Sequence, residues 1–320
     1  MKEISNLAAT ASAFRHTREI LFQPFDIVVW LVLALCAWLS QLGSELGAWG
    51  NNLLKSLLRT KFGHNHNFLL KIRAGDYSDL KECVASVENF LSSVNPIWLV
   101  LGLMLFLALW LLLLWIRAQA QIVFIDNLVH RSTRFMASFR EHFHNGNSIF
   151  LWEIVYSMVS PLLMFSVGIM PLLLALPWLK SCIEAKTFLP PGEMAITGMV
   201  IAVTLVFFVA LLMKLLLFYF YQFIIPIVFI RNCNAFRATA IGAGLFKNHT
   251  WTFIKYVILY VVLMLVFSTL LFAIIIATCC LVMLPMMIPY VWAVLLLPVL
   301  VFFRLLGLEL LNQLYKHQIW

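Results

Sequence analysis

The sequence predicts an all-α, polytopic membrane protein. Six transmembrane helices are expected, with two parallel-related helical hairpins (spans 2–3 and 4–5) and amphipathic helices at the interface. Composition is the first ground for this. Of 320 residues, 63% are hydrophobic and 11% charged, and the mean hydropathy is +0.97; soluble domains carry about a quarter charged residues. A water-soluble globule of this composition would expose far too much apolar surface. The second ground is length, because six apolar runs approach the ~20 residues that cross a bilayer as a helix. The third is a near-copied apolar word, IVFIDN at 122–127 and IVFIRN at 227–232, each beside a span.

Residues 1–24 read as an N-terminal amphipathic cytoplasmic segment. Ile4, Leu7, Ala8, Ala11, Phe14 and Leu21 recur at helical spacing with Arg15 and Arg18 elsewhere, the pattern of a helix lying on a leaflet. QPF then turns the chain into the six-span domain, residues 25–320, since proline is tolerated at a helix start. The spans run approximately Phe25–Leu42, Ile97–Trp115, Ile149–Leu172, Ala195–Tyr219, Phe253–Leu284 and Pro289–Leu305. Tryptophans such as Trp98, Trp115, Trp178 and Trp292 fall near their ends, as expected of rings that prefer the headgroup layer. The first span is followed by no small-residue cleavage site, so it is expected to be a retained anchor. An outer loop, 48–96, carries Leu80, Cys83, Val84, Val87 and Leu91 on one helical face. Cytoplasmic elbows are expected at 116–148 and 221–252, and RLLGLELLNQLYKHQIW continues span six as an amphipathic tail.

Charge sets the orientation. Lys2, Arg15 and Arg18, the elbow residues Arg117, Arg131, Arg134, Arg140, Arg231, Arg237 and Lys247, and the tail residues Arg304 and Lys316 all fall on one side. Basic residues in short loops mark the cytoplasmic face, so both termini are expected there. The net charge of +8 is accounted for by topology and implies no nucleic-acid partner.

The two near-copies extend beyond their shared word. Leu112 and Asn127 match Leu217 and Asn232 at an offset of 105; Arg134, Phe143, Asn145 and Phe150 match Arg237, Phe246, Asn248 and Phe253 at 103. Chance recurrence of apolar words competes with an internal repeat, but chance does not readily match Asn, Arg and Asn in order. Parallel repeats are related by an axis along the membrane normal. Asp126 would then face Arg231 as an ion pair; the alternative is two interfacial charges in water.

The stretch WIRAQAQIVFIDNLVHRSTRFMASFREHFHNGNSIF, and the opening TREILFQPFDIVVWLVLALCAWLSQLG, resemble an uncharacterised family of bacterial six-span integral membrane proteins. FIDN and GNSIF are the specific phrases. A looser similarity exists to the membrane region of some glycerophosphodiester phosphodiesterases. The resemblance implies a multi-pass protein of the bacterial cytoplasmic (inner) membrane and brings no catalytic residues. Family members often carry a glycine-rich stretch after span one, where this chain has NNLLKSLLRTKFGHNHNF.

No residue set spells out a reaction. The pairs His64/His66 and His142/His144 are two apart, but a zinc site needs three or four convergent ligands; His130, Glu141 or Asp126 could complete the inner set, and solvated loop histidines are the competing reading. Phosphate loops, dinucleotide fingerprints, nucleophile elbows and H-E-x-x-H are absent from the sequence, so no cofactor is expected. Lys214 is the one candidate for an ionisable group at membrane depth, and it lies near enough to a span end to snorkel. Pro161, Gly168, Pro171, Pro177, Pro285, Pro289 and Pro298 could break helices around a groove or simply shape the bundle. The candidate polar cluster is Asp126, Asn127, Arg134, Arg231, Asn232, Arg237, Glu153 and Lys255; Glu153 and Lys255 could pair or each meet the interface. Cys83 and Cys182, the two outer-side cysteines, are the candidate disulfide, against a reading of Cys83 as a small buried hydrophobe. Expected partners are the lipid bilayer and either a bound lipid or another membrane protein. Three functions stay open: a non-enzymatic membrane protein supporting envelope, lipid-related or transport processes; an intramembrane enzyme on a lipid headgroup using Asp126, His130, Arg134 and Glu153; and a facilitated transporter.

Overall fold

The structure, a computed structural model, describes residues 6–42, 95–131, 135–185, 193–278 and 288–315. Within them the chain is helical throughout and contains no strand. The helices are α1 (Asn6–Phe22), α2 (Ile27–Leu39), α3 (Pro96–His130), α4 (Phe135–Glu141), α5 (Phe143–Ala185), α6 (Glu193–Tyr219), α7 (Ile225–Arg231), α8 (Ala235–Ala277), α9 (Pro289–Leu295) and α10 (Leu297–Leu314). A π-turn, Phe220–Ile224, joins α6 to α7.

Among the described residues, five stretches are long and apolar enough to cross a membrane: Val100–His130, Phe143–Trp178, Ile196–Arg231, Ala235–Ala277 and Leu297–Leu314. The expected first span is shorter than its apolar run. Asp26 accepts a hydrogen bond from Val28 N at 2.8 Å and starts α2, and the backbone turns at Ser40, leaving 13 helical residues. That is about 20 Å of helix, against a hydrocarbon core of about 30 Å. The expected sixth span is two helices, α9 and α10, with Leu296 between them outside helical geometry.

Proline marks the break in the last span, where Pro289 starts α9 and Pro298 stands in the first turn of α10 just after Leu296, but it leaves α5 unbroken; Pro285 lies outside the described residues. Pro161, Pro171 and Pro177 all lie inside the continuous α5. Further irregularity falls at the π-turn and at His249, whose φ of −130° and ψ of 32° kink α8.

The chain divides into two compact units. The first comprises residues 1–42, 114–154 and 216–320 and holds nearly all of the buried side chains. In it α1 lies along α10, burying Ala9, Ala13, Thr17, Ile20 and Leu21. This is a small-residue face that lets two helix backbones approach closely; Leu7 and Phe14, on the apolar face read from the sequence, remain exposed. α2 packs against α9, where Trp30 Nε1 donates to Val294 O at 3.2 Å and Tyr290 OH to Leu31 O at 3.1 Å. The second unit comprises 43–113 and 155–215. Its described helices carry exposed Leu, Phe, Val and Met along most of their length, and Tyr156 OH donates to Met213 O at 3.0 Å.

Candidate functional site

Two polar groupings are built into the first unit. The inner one centres on Glu153, a carboxylate 4% exposed inside the apolar helix α5. Tyr221 OH donates to its Oε1 at 3.0 Å and Gln121 Nε2 at 3.4 Å, while Arg117 Nε stands 4.0 Å away. The Arg117 guanidinium also lies over the Tyr221 ring, 4.9 Å from its centroid. Tyr221 therefore holds the acid by its hydroxyl and the base by its ring face. A charge left alone in this setting would be costly; pairing it with a cation and two donors is what permits its burial.

The π-turn explains a third charge. Ile225 N donates to Phe220 O, five residues back, in place of Tyr221 O, four back. The next nitrogen that could serve Tyr221 O in a π pattern belongs to Pro226, which has no N–H. Tyr221 O is thus released from the helix, and Arg304 Nη1 of α10 donates to it at 2.7 Å. Arg304 Nε and Nη2, Glu153 Oε2, Gln222 Oε1 and Tyr256 OH are sealed from solvent without a hydrogen-bond partner. Aromatic rings fill the space around them: Trp152 stacks on Phe220, and Phe223 meets Phe253 and Tyr256 edge-on, each at 4.9 Å between centroids.

The outer grouping joins the two elbows. In the first, His130 Nδ1 donates to Asp126 Oδ1 at 2.8 Å, and His142 Nε2 is 3.6 Å from the same oxygen. Asn127 is fully buried; it donates to Cys36 Sγ at 3.7 Å and accepts from Ser138 Oγ at 3.4 Å. The phrase HNGNSIF then supplies a strip of contacts at the start of α5. Asn145 donates to Asn232 Oδ1. Asn147 Oδ1 accepts from Trp115 Nε1 at 2.9 Å and Gln119 Nε2 at 2.8 Å. Ser148 Oγ accepts from Ala235 N at 3.0 Å. Asn234, the residue at the N-cap of α8, makes no side-chain cap bond, so Ser148 caps that helix from a different one.

In the second elbow, Asn232 ends α7 in the left-handed region at φ 45°. Beside it opens a cleft of about 560 Å³ lined by Arg231, Asn232, Cys233, Asn234, Arg237 and Ile241. The Arg231 guanidinium lies over the Tyr315 ring, 5.0 Å from its centroid. Burial pushes the Cys233 thiol up from its ordinary pKa, and the Arg237 and Arg231 charges oppose that shift.

Several expected associations meet different partners. Asp126 is engaged by histidines and Arg231 by an aromatic face, so the structure gives neither the other as an ion-pair partner. Glu153 pairs with Arg117, whereas Lys255 Nζ stands over Trp251 at 5.7 Å. Arg117 and Arg304, which the sequence suggested as loop and tail charges, are interior residues of α3 and α10. Their signal was a lone arginine inside an apolar run. The tail is likewise no exposed amphipathic extension: Leu305 through Asn312 are all buried, Glu309 included, with His16 Nε2 3.6 Å from its Oε1. Lys214 is exposed on α6. Arg134, Cys83, His64 and His66 lie outside the described residues, as does the side chain of Cys182, so the proposed bridge does too. Among the described residues, no three His, Cys, Asp or Glu side chains gather as metal ligands; His130 and His142 converge on Asp126.

No curated protein and no solved structure matches the chain. The likeness to glycerophosphodiester phosphodiesterases and a bacterial source gain no support from comparison; membership of an uncharacterised family does. Residues 5–316 match one family model across almost the whole sequence, and the chain belongs to that family of unknown function, DUF7544.

Proposed function

We propose that this is a non-enzymatic, multi-pass protein of the bacterial cytoplasmic membrane that supports envelope or lipid-related processes through its two elbows. Six crossings, two parallel-related hairpins and cytoplasmic termini complete the reading. An even number of crossings would leave both chain ends on one side, as the basic residues of the tail and elbows suggest.

One observation carries the functional choice. The buried Glu153 and the half-buried Arg117 and Arg304 sit beside a core of Trp152, Phe220, Phe223, Phe253 and Tyr256. Intramembrane charges mark a functional centre by default. A conducting path needs space along it, and headgroup chemistry needs convergent acid and base groups around a substrate. This centre has one carboxylate, clamped by a tyrosine and a guanidinium, and aromatic packing around it. Such a centre suits a rigid frame that holds the elbows in register.

The test is to purify the full chain in native-lipid nanodiscs, identify what remains bound by mass spectrometry, and assay proteoliposomes for solute flux and headgroup turnover. An enriched lipid or a membrane-protein partner is expected, with neither flux nor turnover. Flux or turnover abolished by Glu153→Gln would overturn the reading.

A further inference from the structure

The cleft beside Asn232 has a chemistry the frame does not use. Its two guanidiniums, Arg231 and Arg237, have no carboxylate within 4 Å among the described residues. Stacking on Tyr315 holds Arg231 by its face, which leaves the N–H edges of its fork available. Asn232 gives its carbonyl oxygen to Asn145, so the amide NH2 is the end left to donate. Asn234 makes no cap bond to α8, and Ser148 accepts from Ala235 N alone, so the next N–H groups of that helix start stay open toward the cleft end of α8. All these groups are donors or positive. An anion with several acceptor oxygens matches them; a cation or an apolar ligand does not.

The surroundings say where such an anion comes from. Phe236, Phe246 and Trp251 on the same helix are exposed, with Arg237 and Lys247 between them. Exposed aromatics interleaved with basic residues are the signature of the headgroup layer, which is where lipid phosphates lie. About 560 Å³ is more than a bare phosphate needs and leaves room for the rest of a headgroup.

We propose that the Arg231–Arg237 cleft binds a phosphate group, with the two guanidinium forks and the start of α8 as its donors and an anionic phospholipid headgroup or free phosphate as its source. This rests on the lipid-related reading above, but it is tested by binding alone and so stands or falls separately from flux, turnover or partner capture.

The experiment titrates the full chain in detergent micelles with dioctanoyl phosphatidic acid, dioctanoylglycerol, dioctanoyl phosphatidylcholine and inorganic phosphate, read by native mass spectrometry. The phosphatidic acid probe should bind more tightly than phosphate-free dioctanoylglycerol, and binding should weaken steeply with salt. Arg231→Gln/Arg237→Gln should lower its affinity by about tenfold or more, the loss expected for charge-assisted hydrogen bonds. Should that variant fail to fold, Ile241→Trp fills the cleft without changing charge and should also abolish binding. Displacement by inorganic phosphate identifies a free-phosphate site; phosphatidic acid binding that phosphate cannot displace identifies a headgroup site. Equal affinity for phosphatidic acid and dioctanoylglycerol, or unchanged affinity in both variants, overturns the proposal.

Discussion

The two elbows begin from nearly the same word and end it differently. In IVFIDN the helix continues past the asparagine to His130, and the left-handed residue is Arg131 at φ 47°. In IVFIRN the helix stops at the asparagine itself, at φ 45°. The shared apolar run does not distinguish the two asparagines, although the residues after it differ, LVH following Asn127 and CNA following Asn232. Their tertiary partners do. Asn127 is enclosed, with its amide donating to Cys36 and its carbonyl accepting from Ser138, so the chain around it stays helical. Asn232 has its carbonyl held by Asn145 across the elbow, a contact that fixes it as a helix cap. Asparagine tolerates the left-handed conformation better than most residues, and the second elbow uses that tolerance. The flanking charges follow: Asp126, inside a helix, meets His130 one turn on, while Arg231, at a helix end, is left to line an open cleft.

The largest effect should come from cutting the tie between the elbows. Ser148→Ala leaves the buried Ala235 N–H without its acceptor, and Asn145→Ala removes the clamp on Asn232. Ser148→Ala should cost roughly 1–3 kcal/mol, the range for a buried polar group left unpaired, and Asn145→Ala about 0.5–1.5 kcal/mol, the net worth of one hydrogen bond, because Asn232 is exposed and water can serve it. The residues are neighbours serving one joint, so the double variant should lose less than the sum. Thermal unfolding of single and double variants in one detergent checks this; strict additivity would mean the elbows are not held as one joint.

Much of this frame was legible in sequence, and the reasons it stopped being legible are physical. Long apolar runs marked α3, α5, α6 and α8 as helices able to cross a membrane, because that ability is a matter of composition and length alone. Their ends were misjudged where a polar residue stays helical: Arg117, Gln119 and Gln121 are paired by groups from α5 and the π-turn, so the chain has no need to leave the helix at 116. The π-turn itself carried only Pro226 as a signal, and its meaning depends on Arg304, 78 residues away in a helix that read as a tail. GNSIF stood out as specific. The role of its Ser148 in capping α8, and of Asn145 just before it in clamping Asn232, required knowing which helix lay opposite.

A smaller contrast separates the glycines packed in each elbow. A Cβ at Gly146 would strike the Gln119 side chain, which is pinned by donating to Phe143 O at 3.3 Å and Asn147 Oδ1 at 2.8 Å. A Cβ at Gly242 would meet the Ile224 Cδ1 methyl, which a rotamer change can move, and Tyr219 OH at 3.3 Å. Gly146→Ala should therefore destabilise by about 1–3 kcal/mol, as overpacking against fixed atoms does, and Gly242→Ala by about 1 kcal/mol or less. Equal losses in the two variants would show that Gln119 is freer than its two hydrogen bonds imply.

The smallest effects, and the ones that separate the elbows by sign, lie at the two left-handed residues. Arg131 and Asn232 both become less strained as glycine, which removes roughly 1 kcal/mol of steric cost at φ > 0 for an arginine and less for an asparagine. Arg131 gives up little in exchange. Its guanidinium is 3.3 Å from Glu19, but the side chains are 49% and 37% exposed, and pairs in such solvent contribute about 0–1 kcal/mol. Asn232 gives up the bond from Asn145, in a partly buried setting, together with the cap that bond fixes. Arg131→Gly should thus change stability by less than about 1 kcal/mol, on the stabilising side or near zero, and raising salt should bring Arg131→Gly and the parent chain no further apart as the ion pair is screened. Asn232→Gly should destabilise by roughly 1 kcal/mol. Paired melting curves of these two glycine variants, at low and high salt, read the difference directly. If Asn232→Gly were as neutral as Arg131→Gly, the cap would be a matter of backbone conformation alone, and the Asn145 clamp would not be what distinguishes the second elbow from the first.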